Sequence, residues 1–218
     1  MQLVKLDLDP ANVDTDGLCA SQTPAAGGTQ TLLLNGALIT SSVFNVEGTN
    51  AGESVGVAGR QIAVTSAGND SARTFAVTGT NENKVAQTES ITGPNIGTTE
   101  STKYWNTVTA ITIDGNAAGA ITVGTVDEVI TKSIPLNWLS SDAATVAVLG
   151  LTGTCQFDID ETFDNILADG ATTANWIVNQ TNKTADLAAA LTRGATGVRL
   201  KFDSYTDGAE LQFHLSDL

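Results

Sequence analysis

Short stretches in which every second residue is apolar recur along most of the chain, each closed off by Gly, Asn or Asp. "RQIAVTSAGNDSARTFAVTGT" (60–80) shows the pattern. Ile62 and Val64 alternate with polar neighbours, Phe75 and Val77 do so again, and Gly68-Asn69 lie between them as turn residues. A two-residue period sends successive side chains to opposite faces of a sheet, so each run has one face to bury and one to wet. A helix would need apolar residues three and four apart. The alternation therefore predicts an antiparallel all-β chain of short strands, in sandwich-like modules of Ig-like or jelly-roll-like type.

Turn chemistry predicts how the strands connect. "QTLLLNGALIT" (30–40) reads as a hairpin about Asn35-Gly36, and 60–80 as a hairpin about Gly68-Asn69. "TNENK" (80–84) turns into "VAQTESIT", while "YWNTVTAITID", "AITVGTV", "KSIPLNWL", "ATVAVLGLTGTCQFDIDETF" and "ANWIVNQ" add further strands. The C-terminal stretch "GVRLKFDSYTDGAELQFHLSDL" reads as the clearest hairpin. Val198, Leu200 and Phe202 share a face, and Leu211, Phe213 and Leu215 resume it beyond Asp207-Gly208.

"KTADLAAALTRG" is the one helix candidate, with Thr184 as cap, Leu187 and Leu191 four apart and Gly194 as stop; an ordered loop is the alternative. Residues 1–30 carry a strand-like "QLVKLDL" and then a run rich in Asp, Pro, Gly and Ala, which predicts an N-terminal arm or a long surface loop. The expected organisation is an arm over 1–30, a β-sandwich module over 31–127 and a second over 128–218.

Charge narrows the partners. Ten basic residues stand against 24 acidic ones, a formal net charge of -14. That balance argues against direct nucleic-acid binding, because phosphate contacts need Lys and Arg. It suits a chain kept apart from its neighbours by self-repulsion, or one that docks on a basic surface. Arg60 and Arg73, scarce bases in an acidic chain, are the docking candidates. Cys19 and Cys155 are the only cysteines and are expected as free, partly buried thiols in a reducing cytoplasm. The start "MQLVKLDLDP" does not read as a signal peptide, and no run approaches the ~18 apolar residues of a membrane helix. No membrane is therefore expected among the partners.

Candidates for chemistry are few. His214, the sole histidine, alternates with Phe213 and Leu215 and is expected on the polar face of the last strand. "DIDETFD" gathers Asp158, Asp160 and Asp164, and carboxylates two apart on a strand can share Ca²⁺. The EF-hand pattern fails, since Phe163 stands where its glycine belongs, so solvated acids at a sheet rim are the plainer reading. Asp158 and Asp160 could cleave a glycan only beneath a concave site. Trp105, Trp138 and Trp176 could stack on sugars or anchor a core or interface. The chain contains no GxGxxG, P-loop, CxxC or HExxH. The expectation is a non-enzymatic protein with no cofactor and no resident metal.

The order of several phrases carries a resemblance: "TPAAGGTQTLLLNGAL", then "RQIAVTSAGNDSARTFAVTGTNEN", "QTESITGPNIGTTESTKYWNTVTAITIDGNAAGAITVGT" and the closing "GVRLKFDSYTDGAELQFHL". Together they resemble a family of tailed-bacteriophage virion structural proteins, over most of residues 20–127 and the C-terminal stretch, and more loosely over 128–195. The family has no catalytic motif to carry over. What the resemblance implies is assembly: a capsid decoration or cement protein, folded in the bacterial host cytoplasm and found in the virion. Its partners would be the major capsid protein or other virion proteins. It would also be a homo-oligomer, with a trimer the favoured form. The alternatives are a head-to-tail connector or tail component, or a carbohydrate-binding module displayed on the virion.

Overall fold

The computed structural model describes residues 2–47, 56–137, 143–166, 174–206 and 208–217. Among these residues the chain is all-β, with antiparallel pairing throughout. The first half holds β1 (Gln2–Leu8), β2 (Cys19–Gln22), β3 (Gln30–Thr31), β4 (Ile39–Thr40), β5 (Val43–Asn45), β6 (Val57–Asn69), β7 (Thr74–Thr80), β8 (Ala86–Thr92) and β9 (Asn95–Glu100). The second holds β10 (Thr107–Ile113), β11 (Ile121–Thr131), β12 (Ile134–Pro135), β13 (Thr145–Thr152), β14 (Cys155–Thr162), β15 (Trp176–Lys183), β16 (Leu187–Ala190), β17 (Gly197–Tyr205) and β18 (Glu210–Asp217).

The chain divides into two compact units. One comprises Met1–Asn12, Ser54–Ala58 and Asp127–Leu218, and the other Val13–Glu53 and Gly59–Val126. The first unit contains a four-stranded sheet in the order β1-β18-β13-β16. It also contains β15, β14 and β17 side by side, with β12 and the Val129–Ile130 end of β11 paired to β17. Both sheets turn one apolar face inward: Val146, Val148, Leu211, Phe213 and Leu215 from one, and Phe157, Ile159, Val198, Leu200 and Phe202 from the other, all nearly inaccessible to solvent. Burying each such side chain stabilises the fold by about 1.5–3 kcal/mol, so these facing rows hold the unit together.

In the second unit β4, β5, β10, β7 and β8 form one sheet, with β3 on β10, while β9 pairs with β6 and β2 with β11. Phe44, Phe75, Val77, Val108, Ile111 and Ile113 from the first sheet, and Ile62, Val64, Ile121 and Val123 from the second set of strands, are buried.

Three predicted connections differ from the structure. β6 and β7 do not pair with each other: β6 pairs with β9, and β7 with β10 and β8. The link between them is held from inside. Asp70 is 1% exposed, accepts a 2.6 Å hydrogen bond from the Ser66 hydroxyl and another from the Ala118 N–H, and anchors a sheet-to-sheet crossing. β17 and β18 likewise belong to different sheets, β17 against β14 and β18 between β1 and β13. Their alternation is as expected, but the two apolar rows lie on different sheets and not along one face.

The third is Asn35-Gly36. β3 pairs with β10, and β4 with β5, so no hairpin forms there. Gly36 is needed for a close approach: a Cβ on it would lie 2.2 Å from the Gly17 carbonyl carbon. The Asn35 side chain accepts the Ala20 N–H instead of closing a turn. The β7–β8 hairpin through "TNENK" is present, with Asn81 Oδ1 accepting the N–H groups of Asn83 and Val85.

Two further expectations are corrected. "KTADLAAALTRG" is neither helix nor loop over 187–190: β16 pairs with β13, and Asp186 accepts the N–H groups of Gly150 and Leu151, which draws the segment onto that strand. Residues 1–30 contain two paired strands, β1 and β2, joined by irregular chain. β1 pairs with β18 over seven residue pairs, from Gln2↔Asp217 to Leu8↔Leu211. Leu8 is buried in the apolar row that β1 shares with β18, and Leu18 and Cys19 are buried where the chain pairs with β11.

Candidate functional site

The acid cluster nominated by the sequence folds into a charged sheet face. On β14 the two-residue period sends Phe157 and Ile159 to the core and Asp158 and Asp160 to the opposite face. The β14–β17 register sets Asp158 opposite Lys201 and Asp160 opposite Arg199. Lys201 Nζ lies 3.1 Å from Asp158 Oδ2 and 2.7 Å from Asp203 Oδ1, and Arg199 Nε lies 3.0 Å from Asp160 Oδ2. β15 covers part of this face: the Asn182 N–H donates to Asp158 Oδ1 at 2.7 Å, and the Arg199 guanidinium stacks 4.3 Å from the centre of the Trp176 ring. Stacking on an aromatic face suits Arg, which is more weakly hydrated than an ammonium.

Electrostatics separate the three acids. Burial pushes the Asp158 carboxyl up, but the Asn182 N–H and Lys201 outweigh it and hold its pKa below the ordinary value. For Asp160 burial wins over Arg199, and its pKa is raised. Asp203 is raised too, by burial first and then by the neighbouring Asp158 charge, against the pull of Lys201. Two carboxyl groups at one ammonium thus hold protons with different strength.

Asp164 stands apart from this group. Its Oδ2 accepts from the Asn175 backbone and side-chain amides, closing the segment between β14 and β15. Asp158 and Asp160 are each taken up by a basic partner, and among the described residues no group of three His, Cys, Asp or Glu is arranged to hold a metal ion. Glu161, which the sequence reading passed over, is 3% exposed and accepts from the Thr192 N–H, the Thr192 hydroxyl and Asn179 Nδ2. The alternation puts Arg199, Lys201 and Asp203 on the face opposite Val198, Leu200 and Phe202, without marking them as partners of the acids. Their signal was present as "RLKFD", whose two-residue charge spacing complements "DID".

The remaining candidates scatter. Arg60 is 1% exposed, donates Nε–H to the Val126 carbonyl at 2.7 Å and pairs through its backbone with Trp105, so it is a core residue and not a docking contact. Trp105 is fully buried beside it in the chain pairing and presents no surface. Arg73 is half-buried and donates Nε–H to the Asn116 carbonyl, lying over Gly115. Trp138 lies outside the described residues. Trp176 is half-buried, next to the exposed Ile177 and Val178.

His214 lies on the outer face of the four-stranded sheet, where Lys5, Ala147, Leu149 and Ser216 join it in lining an open groove of about 490 Å³. Its Nε2 sits 3.3 Å from Gln212 Oε1. The groove is apart from the acid cluster and mostly apolar, and its lining residues form no nucleophile–base pair. Cys19 and Cys155 are free and buried, with burial pushing their thiols up to about 12 and about 11. No protein-family model matches the chain, and no curated protein matches its sequence.

Proposed function

We propose that this chain is a non-enzymatic structural component of a virus particle, most specifically a decoration protein of a phage head. One observation carries the reading. The side chains with the most chemical potential, Asp158, Asp160, Arg199 and Lys201, are spent on each other across two adjacent strands, which fixes a sheet rather than furnishing a site. The resemblance of the phrase order to tailed-phage virion proteins gives the particle context. Polar, Thr-rich sheet faces and a net charge of -14 keep many copies of such a module from aggregating edge to edge. The test is to separate particles from soluble protein in producing cells and localise the chain with a labelled antibody in electron micrographs. Label on heads supports decoration, label at the neck or tail supports a connector or tail part, and no label on particles refutes the proposal.

Trp176 favours a second reading. It is half-buried rather than enclosed, and Ile177, Val178 and the amides of Asn179 and Gln180 follow it on β15. A half-buried indole beside exposed apolar residues is a surface on which a sugar ring can pack. Tryptophan fluorescence that changes on adding oligosaccharide in the intact protein, and no longer does so in Trp176→Ala, would favour it.

A further inference from the structure

We propose that Lys201 and Asp158 condense into an intramolecular amide that joins β17 to β14 through their side chains. The two are direct partners in an antiparallel ladder, and the amine nitrogen lies 3.1 Å from the Asp158 carboxylate. The contact is to Oδ2, one bond from the Cγ that the amine would attack, so the two groups are held side by side, as reaction within a fixed pair requires. Asp203, two residues along β17 and so on the same face, places Oδ1 2.7 Å from the same nitrogen. One amine therefore sits between two carboxyl groups, one to be attacked and one to move protons.

The surroundings keep most of the pair away from bulk water. Asp158 is 5% exposed, and the residue across from Lys201 on its other side is Ile130, which is fully buried. Arg199, two residues before Lys201 on the same face, is taken up by Asp160, which leaves Lys201 to Asp158 and Asp203. Asp203 Oδ2 is buried and takes no hydrogen bond from the described residues, which suits a carboxyl that keeps its proton, and the raised pKa of Asp203 agrees.

The step balances without any co-reactant. Protonated Asp203 gives its proton to the Asp158 carboxylate and takes one from the Lys201 ammonium. Nζ of the neutral amine attacks Cγ of Asp158, an N–C bond forms and the tetrahedral centre collapses. The C–O bond to the hydroxyl breaks, and Asp203 relays the second amine proton to it. Ammonium and carboxylate become amide and water, and Asp203 ends as it began. Asp203 is the positioning acid–base group and Asp158 the electrophile. The structure holds the ion-paired precursor of this product. The inference does not depend on the proposed place of the protein in a particle.

The test is the intact mass of the purified full chain. Amide formation removes one water, about 18 Da. Protease digestion of the wild type is expected to give a branched peptide linking Lys201 to Asp158. Lys201→Arg, which keeps the positive charge but cannot form the amide, is expected at the full sequence mass. Asp203→Ala is expected to accumulate the unlinked chain at least tenfold over wild type in fresh preparations. Wild-type protein that stays at full sequence mass after prolonged incubation overturns the proposal. So does water loss mapped elsewhere, whether to a succinimide on linear peptides or to a Lys201–Asp203 link. An Asp203→Ala chain that links as completely as wild type overturns the role given to Asp203.

Discussion

Asp160 and Arg199 face each other across β14 and β17, with Nε 3.0 Å from Oδ2 and the guanidinium 4.3 Å from the Trp176 ring centre. The acid is 3% exposed, so neither partner can be removed without stranding the other's hydrogen-bonding groups away from water. Asp160→Asn is expected to destabilise the fold by about 2–3 kcal/mol, at the low end for a broken buried pair because Trp176 continues to shield the guanidinium. Replacing both together, Asp160→Leu with Arg199→Met, is expected to recover most of that loss. Urea unfolding of the single and double variants measures it.

The neighbouring acids give the stability a pH signature. In the ion-paired chain, before any amide forms, Asp158, held below its ordinary pKa, contributes stability that is present above the unfolded value and is lost as pH falls through the lower folded one. Asp203 has the opposite sign. Its raised folded pKa means that its contribution is full below the unfolded value and is lost as pH rises through the folded one. Thermal melts between the ordinary carboxylate range and neutrality are therefore expected to show a component that falls with rising pH. Asp203→Asn is expected to reduce that component, the remainder coming from Asp160, whose pKa is raised as well. An unchanged slope in the variant would contradict the assignment.

How much of this was legible beforehand depends on what a two-residue period encodes. The alternation in Val198, Leu200, Phe202 and in Leu211, Phe213, Leu215 says which face of each strand is buried, and those six residues are buried. It does not say whether the next strand lies beside the first or opposite it, because both arrangements hide the same alternate residues. Asp207-Gly208 and Gly68-Asn69 are good hairpin residues, so local turn chemistry pointed to the wrong neighbours. The deciding information sits in long-range partners such as Ala118, which donates its N–H to Asp70, and these no single stretch displays. The acid cluster was visible as "DID", but its basic partners lie about forty residues further on, and only the register brings them together.

Integration of the N-terminal strand is open to a direct chemical check. Lys5 and His214 are partners in the β1–β18 ladder and both lie on the outer face. Adjacent antiparallel strands place paired Cα atoms within the range a disulfide needs. The double variant Lys5→Cys/His214→Cys is expected to close a bond on mild oxidation, seen as a mobility shift in non-reducing gels that reductant reverses. A free arm would leave both thiols titratable.

Gly36 tests the correction at the Asn35-Gly36 step. A methyl group there would meet the Gly17 backbone, which no side-chain rotation can relieve. Gly36→Ala is expected to cost about 2–3 kcal/mol, read from the shift in urea midpoint, where a turn glycine with open space around it would tolerate the change far better.

Both thiols should be silent in the native state. Cys19 and Cys155 are buried with pKa values pushed to about 12 and about 11, and the thiolate is the reactive form. Reaction with a thiol reagent at mildly alkaline pH is expected to be at least ~100-fold slower in native than in denatured protein. A fast native phase would show that one of the two thiols is accessible.

Membership of a particle is tested most directly by density-gradient fractionation of lysates from producing cells, with the chain quantified by mass spectrometry in each fraction. Co-sedimentation with assembled particles, in many copies relative to a tail or neck component, is the expected result. A chain recovered wholly in the soluble fractions while particles band normally would contradict it.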